Sequence, residues 1–209
     1  MAIESIREEA RSYFSDVAPS HDWHHVERVE RLAETLAEKE GADMELVKLA
    51  VLLHDIGRGR EDRGEIGDHA EWGAEKAGEI LREHGHNSDT IESVKHCIRA
   101  HRYSNEMEPE TVEAEVLSDA DNLDALGASG IARTFCYSGE HGRPVSDTEL
   151  LPEDDDSESG ETGLNHLANK ILELKDRMYT DAGREIAEER HRFVEKFVEQ
   201  MTGEMEGER

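Results

Sequence analysis

Cysteine is scarce. Cys97 and Cys136 are the two thiols among 209 residues, and they share no CxxC spacing. That excludes a disulfide framework and a zinc–thiolate cluster, and it suits a reducing cytoplasm. No apolar run approaches the roughly 20 residues that a membrane-crossing helix needs. The start of the chain, with Glu4, Glu8 and Glu9, lacks the basic-then-apolar pattern of a signal peptide. These absences predict a cytoplasmic protein with no membrane partner. No internal repeat and no Gly-rich phosphate loop is found. Lysine is sparse beside arginine, and no basic stripe exists to neutralise phosphates, so duplex nucleic acid is not an expected partner.

Negative charge is what the chain has in excess. Its formal net charge is −27. Such a charge destabilises a compact state by self-repulsion unless it is screened. Molar salt screens it well, because the Debye length there is about 3 Å. The acids fall mostly on outward helix positions; Glu27, Glu30, Glu34 and Glu38 follow one another along one helical pattern. The composition therefore predicts adaptation to a salt-rich cytoplasm, as in halophilic archaea. An ordinary acidic protein is the alternative.

The hydrophobic spacing is helical almost throughout. It predicts helices near 2–14, 21–40, 43–56, 69–84, 88–101, 110–126, 165–179 and 181–202. Few stretches alternate with period two, so the fold class is all-α, and the length suits one domain spanning 1–209. Residues 57–68 are rich in glycine and charge and read as a loop. A second loop covers 139–163, with Pro144, Pro152 and the acidic run Glu153-Asp154-Asp155-Asp156. It is long enough to be mobile, lacks the spaced ligands of an EF-hand, and reads as solvated.

The most informative residues are His54 and Asp55. They end the apolar run Leu46 to Leu53. Composition alone supplies about one His-Asp pair by chance, and His21-Asp22 is a second one. Context separates them. His21-Asp22 follows Pro19-Ser20 and reads as a helix start, where Asp suits the N-terminal position. His54 shares a helical face with Val47, Ala50 and Val51, and Gly57 stops the pattern. His25 lines up with Val29, Leu32 and Leu36. Asp121 lines up with Ala114 and Leu117 behind it and with Asp124 and Ala125 ahead. Each residue alone also fits a simpler role, as a core histidine bonded to a carbonyl or as an exposed acid. Together, two imidazoles and two carboxylates from separate helices suit one divalent cation. Buried carboxylates need such a partner.

These residues resemble the HD-domain superfamily of metal-dependent phosphohydrolases, in the order His, then His-Asp, then Asp. His21-Asp22-Trp23-His24-His25-Val26-Glu27-Arg28-Val29 is similar to the opening motif of a subgroup of small single-domain HD proteins. Ala50-Val51-Leu52-Leu53-His54-Asp55-Ile56 resembles the signature helix. Asp119-Ala120-Asp121-Asn122-Leu123-Asp124-Ala125-Leu126-Gly127-Ala128 resembles the closing motif, followed by Gly130 to Phe135. Leu174 to Met178 and Glu188 to Phe193 are also typical of that subgroup. The acidic segment around Glu153 to Glu161 departs from it. The resemblance implies an HD-type helical bundle, with His25, His54, Asp55 and Asp121 as ligands of one divalent ion. It also implies hydrolysis of a phosphate ester or anhydride, with a nucleotide as the small phosphorylated partner.

Imidazole with carboxylate suits manganese, iron, cobalt, nickel or zinc better than magnesium, which prefers oxygen. Such an ion can lower the pKa of bound water to about 7. Asp55 thereby belongs to the catalytic centre. Asp124, one turn beyond Asp121, is a candidate proton acceptor, or a group that orients a histidine. His69 and His101 are candidates for substrate contact or ligand support, and Arg28, Arg133 and Lys170 for phosphate contact. Some HD proteins carry extra histidines and two metals; one metal is the expectation here. Two alternative functions remain: a di-iron HD oxygenase and a non-catalytic, metal-stabilised ligand sensor. The oligomeric state is not legible.

Overall fold

The computed structural model describes residues 2–102, 107–157 and 159–208. Helices dominate them, and no strand occurs among the described residues. The chain divides into two compact units, Met1–Asp121 and Asn122–Arg209.

The first unit contains α1 (Ala2–Ser12), α2 (Trp23–Glu40), α3 (Met44–Leu53), α4 (Arg58–Asp62), α5 (His69–Glu83), α6 (Ser88–Ala100) and most of α7 (Val112–Asp124). Side-chain caps start these helices. Asp22 accepts the His25 N–H at 3.2 Å, Asp43 the Glu45 N–H at 2.9 Å, Asp68 the Glu71 N–H at 2.9 Å and Asn87 the Thr90 N–H at 3.0 Å. Each cap satisfies an orphan amide and contributes about 1 kcal/mol. α2 ends at Gly41, whose φ of +73° is left-handed. α3 forms the middle of this unit. Val47, Leu49, Ala50, Val51, Leu52 and Leu53 are all buried, and α1, α2, α5 and α6 pack around it. A helix apolar on every side must be enclosed in this way.

The second unit contains α8 (Gly127–Glu140), α9 (Gly163–Asn169), a 3-10 stretch Ile171–Arg177 and the long α10 (Asp181–Met205). α10 packs against α8, α9 and the 3-10 stretch. Phe135 meets Phe197 with ring centroids 5.9 Å apart. Thr162 caps α9 and Thr180 caps α10.

Several expectations need correction. The loop expected at 57–68 contains α4, whose Arg58 pairs with Asp62 one turn on at 3.1 Å. The helix expected at 165–179 breaks at Lys170 into α9 and a 3-10 stretch. α8 was not among the expected helices, because Gly127, Gly130 and Gly139 lower its propensity. The acidic run is not wholly solvated. Asp155 is buried and accepts hydrogen bonds from the Glu161 N–H at 2.7 Å, the Asn165 amide at 2.7 Å and the Ser157 N–H at 3.0 Å. Burial opposes its ionisation, yet these donors hold the carboxyl well below the usual carboxylate range.

Candidate metal centre

Each expected ligand of the first unit sits at a helix end or on a buried helix face. His25 lies in the first turn of α2, behind its Asp22 cap. His54 is the residue that closes α3, and Asp55 follows in a turn. His69 opens α5, and His101 closes α6. Asp121 lies on α7. Gly57 is needed here, although its φ of −88° makes it no left-handed cap. A Cβ at this position would meet the His69 carbonyl oxygen at 2.6 Å, so only glycine lets this turn approach the start of α5.

The side chains converge. His25 Nε2 is 3.4 Å from His54 Nε2, 3.3 Å from Asp121 Oδ1 and 3.7 Å from Asp55 Oδ2. His54 Nε2 is also 3.7 Å from Asp55 Oδ2. The other Asp55 oxygen, Oδ1, lies 3.3 Å from His69 Nε2 and 3.7 Å from His101 Nε2. One carboxylate therefore faces two pairs of histidines. His25, His54, Asp55, His69 and His101 are all buried, whereas the Asp121 side chain is 27% exposed.

The hydrogen bonds on the far side of the rings set the tautomers. The Val51 carbonyl accepts the Nδ1–H of His54 at 2.7 Å, and the Ile98 carbonyl accepts that of His101 at 2.6 Å. Glu61 accepts the Nδ1–H of His69 at 2.7 Å. In a neutral ring this leaves the Nε2 lone pair pointing inward. Burial pushes His54 down to about 4, against the pull of Asp55, so the His54 ring is neutral near pH 7. Burial also lowers His69. His101 is raised: burial opposes its charge, but the Asp55 carboxylate outweighs it. Burial opposes ionisation of Asp55 and Asp121 too, yet the histidines around them hold both well below the usual carboxylate range.

Lone pairs of nitrogen and oxygen facing one another at these distances call for a proton or a cation between them. Two triplets offer donor atoms within 4.8 Å of one another: His25, His54 and Asp121, and His54, Asp55 and His101. Three of the four expected ligands thus form one group, and Asp55 joins the second. The donor set fits a divalent ion of the borderline class.

The remaining candidates are more scattered. Arg28 is half-buried on α2, one turn after His25. Asp124, Arg133 and Lys170 belong to the second unit. Asp124 is buried, and Arg133 Nη1 donates to its Oδ2 at 2.8 Å. Lys170 closes α9. Sequence reasoning missed Glu61, which holds His69 and is itself paired with Arg102 at 2.9 Å. It also gave His21 only a helix-start role, whereas its ring stands edge-on to His25 at 6.0 Å.

The HD domain model matches residues 22–126, a span that begins at the α2 cap and ends just past α7. The chain belongs to the HD domain family. Over 208 residues this HD-domain chain is 34% identical to the uncharacterized protein YpgQ of Bacillus subtilis, covering 98% of this chain and 94% of that one. A crystal structure of YpgQ in complex with ADP superposes with a TM-score of 0.77 at 31% identity, covering 99% of this chain and 100% of the other. An HD-superfamily hydrolase from Bacillus thuringiensis superposes with a TM-score of 0.74 at 37% identity, covering 97% and 95%. The fold is therefore that of HD-superfamily hydrolases. These relatives are bacterial and give no support to the archaeal source expected from the charge. No helix among the described residues is long and apolar enough to cross a membrane.

Proposed function

We propose that this HD-domain protein is a metal-dependent phosphohydrolase that cleaves a phosphate ester or anhydride of a nucleotide. The observation that carries this reading is the convergence of ring nitrogens of His25 and His54 and carboxylate oxygens of Asp55 and Asp121 within 3.3 to 3.7 Å. These four would hold one divalent ion, with manganese, iron, cobalt, nickel or zinc preferred over magnesium. A bound ion of this kind supplies activated water and neutralises a phosphate oxygen. The binding of ADP by YpgQ supports a nucleotide substrate.

The chain's own residues divide the remaining work. His69 and His101 face the Asp55 oxygen turned away from His25 and His54, so they fix the carboxylate and line the substrate side. Asp124 accepts the proton of the attacking water, oriented by its bond to Arg133. Arg28, Arg133 and Lys170 contact phosphate. The excess of carboxylates suits a salt-rich cytoplasm. The second triplet, with His69 beside it, favours one other reading, a di-iron oxygenase.

Metal analysis of the purified protein, then a screen for phosphate and pyrophosphate release over nucleotides, tests the proposal. Bound metal near one equivalent and metal-dependent release from a nucleotide are expected. Oxygen consumption with two irons per chain and no phosphate release would favour the oxygenase. A metal-loaded protein inert in both assays would overturn the enzymatic reading.

A further inference from the structure

The second unit carries Arg143 and His166, which the proposed reaction does not use, beside Lys170, a candidate phosphate contact of that reaction. Arg143 is fixed at its backbone, where its N–H donates to the Ser138 carbonyl at 2.8 Å. The next two residues run beside the start of α9: the Gly163 and Leu164 N–H groups donate to the Pro144 and Val145 carbonyls, each at 2.9 Å. The Arg143 guanidinium lies 5.7 Å from the centre of the Tyr137 ring. That same ring stacks with His166, centroids 6.2 Å apart. Tyr137 thus joins Arg143 to His166, and Lys170 follows His166 by one helical turn, its N–H bonded to the His166 carbonyl at 3.1 Å.

Three polar atoms here are buried with no hydrogen-bond partner among the described residues: Arg143 Nη1, Ser138 Oγ and Asn165 Oδ1. A buried donor left unmade is costly, and more so when it carries charge. Water could satisfy such an atom. Water brings no counter-charge to the Arg143 guanidinium. Burial lowers the proton affinity of His166 against the pull of the Ser159 carbonyl, and the charges of Lys170 and Arg143 lower it further. Its Nδ1–H donates to the Ser159 carbonyl, which leaves Nε2 as the remaining polar atom of the ring.

We infer that Arg143, His166 and Lys170 form a phosphate-binding site within the second unit. A planar guanidinium offers paired donors that match two phosphate oxygens, and an ammonium adds a compact point charge. Tyr137 holds the guanidinium in place by its ring face. The occupant is a phosphate group, either free or at the end of a small phosphorylated ligand. The inference stands without the metal centre, so a failed nucleotide screen leaves it intact.

The test is calorimetric titration of the full chain with inorganic phosphate at constant ionic strength, with chelator present to silence the metal centre. AMP serves as the phosphorylated-ligand arm and acetate as the carboxylate control. Phosphate should bind and acetate should not; tighter binding of AMP would identify a phosphorylated ligand rather than the free ion. Arg143→Ala and Lys170→Ala should each weaken phosphate at least about tenfold, the scale of one charge-assisted hydrogen bond. Arg184→Ala, in an exposed arginine paired with Asp181, should change nothing. Should Arg143→Ala fail to fold, the wild-type chain still decides the matter. Phosphate must then shift the imidazole resonances that His166→Gln removes. Absence of chelator-resistant binding, equal binding of acetate, or wild-type affinity in folded Arg143→Ala would each overturn the inference.

Discussion

Arg133 donates a 2.8 Å hydrogen bond from Nη1 to Oδ2 of Asp124, and the carboxylate it reaches is 1% exposed. A buried pair of this kind has two possible uses. It fixes a proton acceptor in one orientation, or it merely holds the end of α7 to α8. Asp124→Asn separates them, since the amide keeps the shape and loses the basicity. If Asp124 handles the proton of the attacking water, the variant should retain metal and lose about 10²-fold or more in turnover. An unchanged rate in the metal-loaded variant would assign the pair to structure. Arg133→Ala should chiefly raise KM if the arginine binds a phosphate already charged in the ground state.

Asp55→Ala should abolish metal retention. Its two oxygens face different histidine pairs, so no other residue of the centre can replace it. Metal content after gel filtration, measured by elemental analysis, is the check. A variant that still holds one equivalent would show that His25, His54 and Asp121 suffice.

Acid should weaken the metal-free protein through His54. Its folded value of about 4 lies below the ordinary value of 6.5. A depressed value means that stability is fully present above 6.5 and is lost as pH falls from 6.5 to 4. The unfolded chain takes up a proton there and the folded chain does not. The loss is on the order of 3 kcal/mol. His101, which is raised, works in the opposite sense. Thermal midpoints of chelated protein across this range, for wild type and His54→Asn, should diverge most near pH 7 and converge toward pH 4. Parallel curves would remove His54 as the cause.

Much of this centre could be read from the sequence, and the reasons are local. His54 and Asp55 were visible because they end an apolar run that has no other reason to stop on polar residues. His25 and Asp121 were visible because each continues a buried stripe. Glu61 was not. It lies in a stretch so rich in charge that no spacing singles it out, and its role arises only when α4 folds back on α5. α8 was hidden by its glycines. Asp155 was hidden among identical neighbours, since nothing in Glu153-Asp154-Asp155-Asp156 tells which carboxylate Asn165 and the Glu161 N–H will enclose.

Salt should stabilise the fold. At 0.1 M the Debye length is about 10 Å, long enough for neighbouring helix surfaces to feel each other's carboxylates. Without a cation, Asp55 and Asp121 add uncompensated charge, so dilution and chelation should act together. Thermal unfolding from low to molar KCl, with and without chelator, is the measurement. A midpoint that stays flat or falls as KCl rises would refute salt adaptation.

His54 and His101 each stand where a helix ends, and each ring is steered by a carbonyl three residues back, in Val51 and Ile98. α3 and α6 therefore act as rulers. Adding or removing one residue anywhere along either helix would turn its terminal imidazole by about 100° and carry it out of the cluster, even if every apolar contact could be remade. A length change of that kind should be tolerated at the far end of α10, which places no such group. Along this chain, tolerance to insertion and deletion should thus follow which helices must stop on a histidine of the cluster, rather than which are most deeply buried.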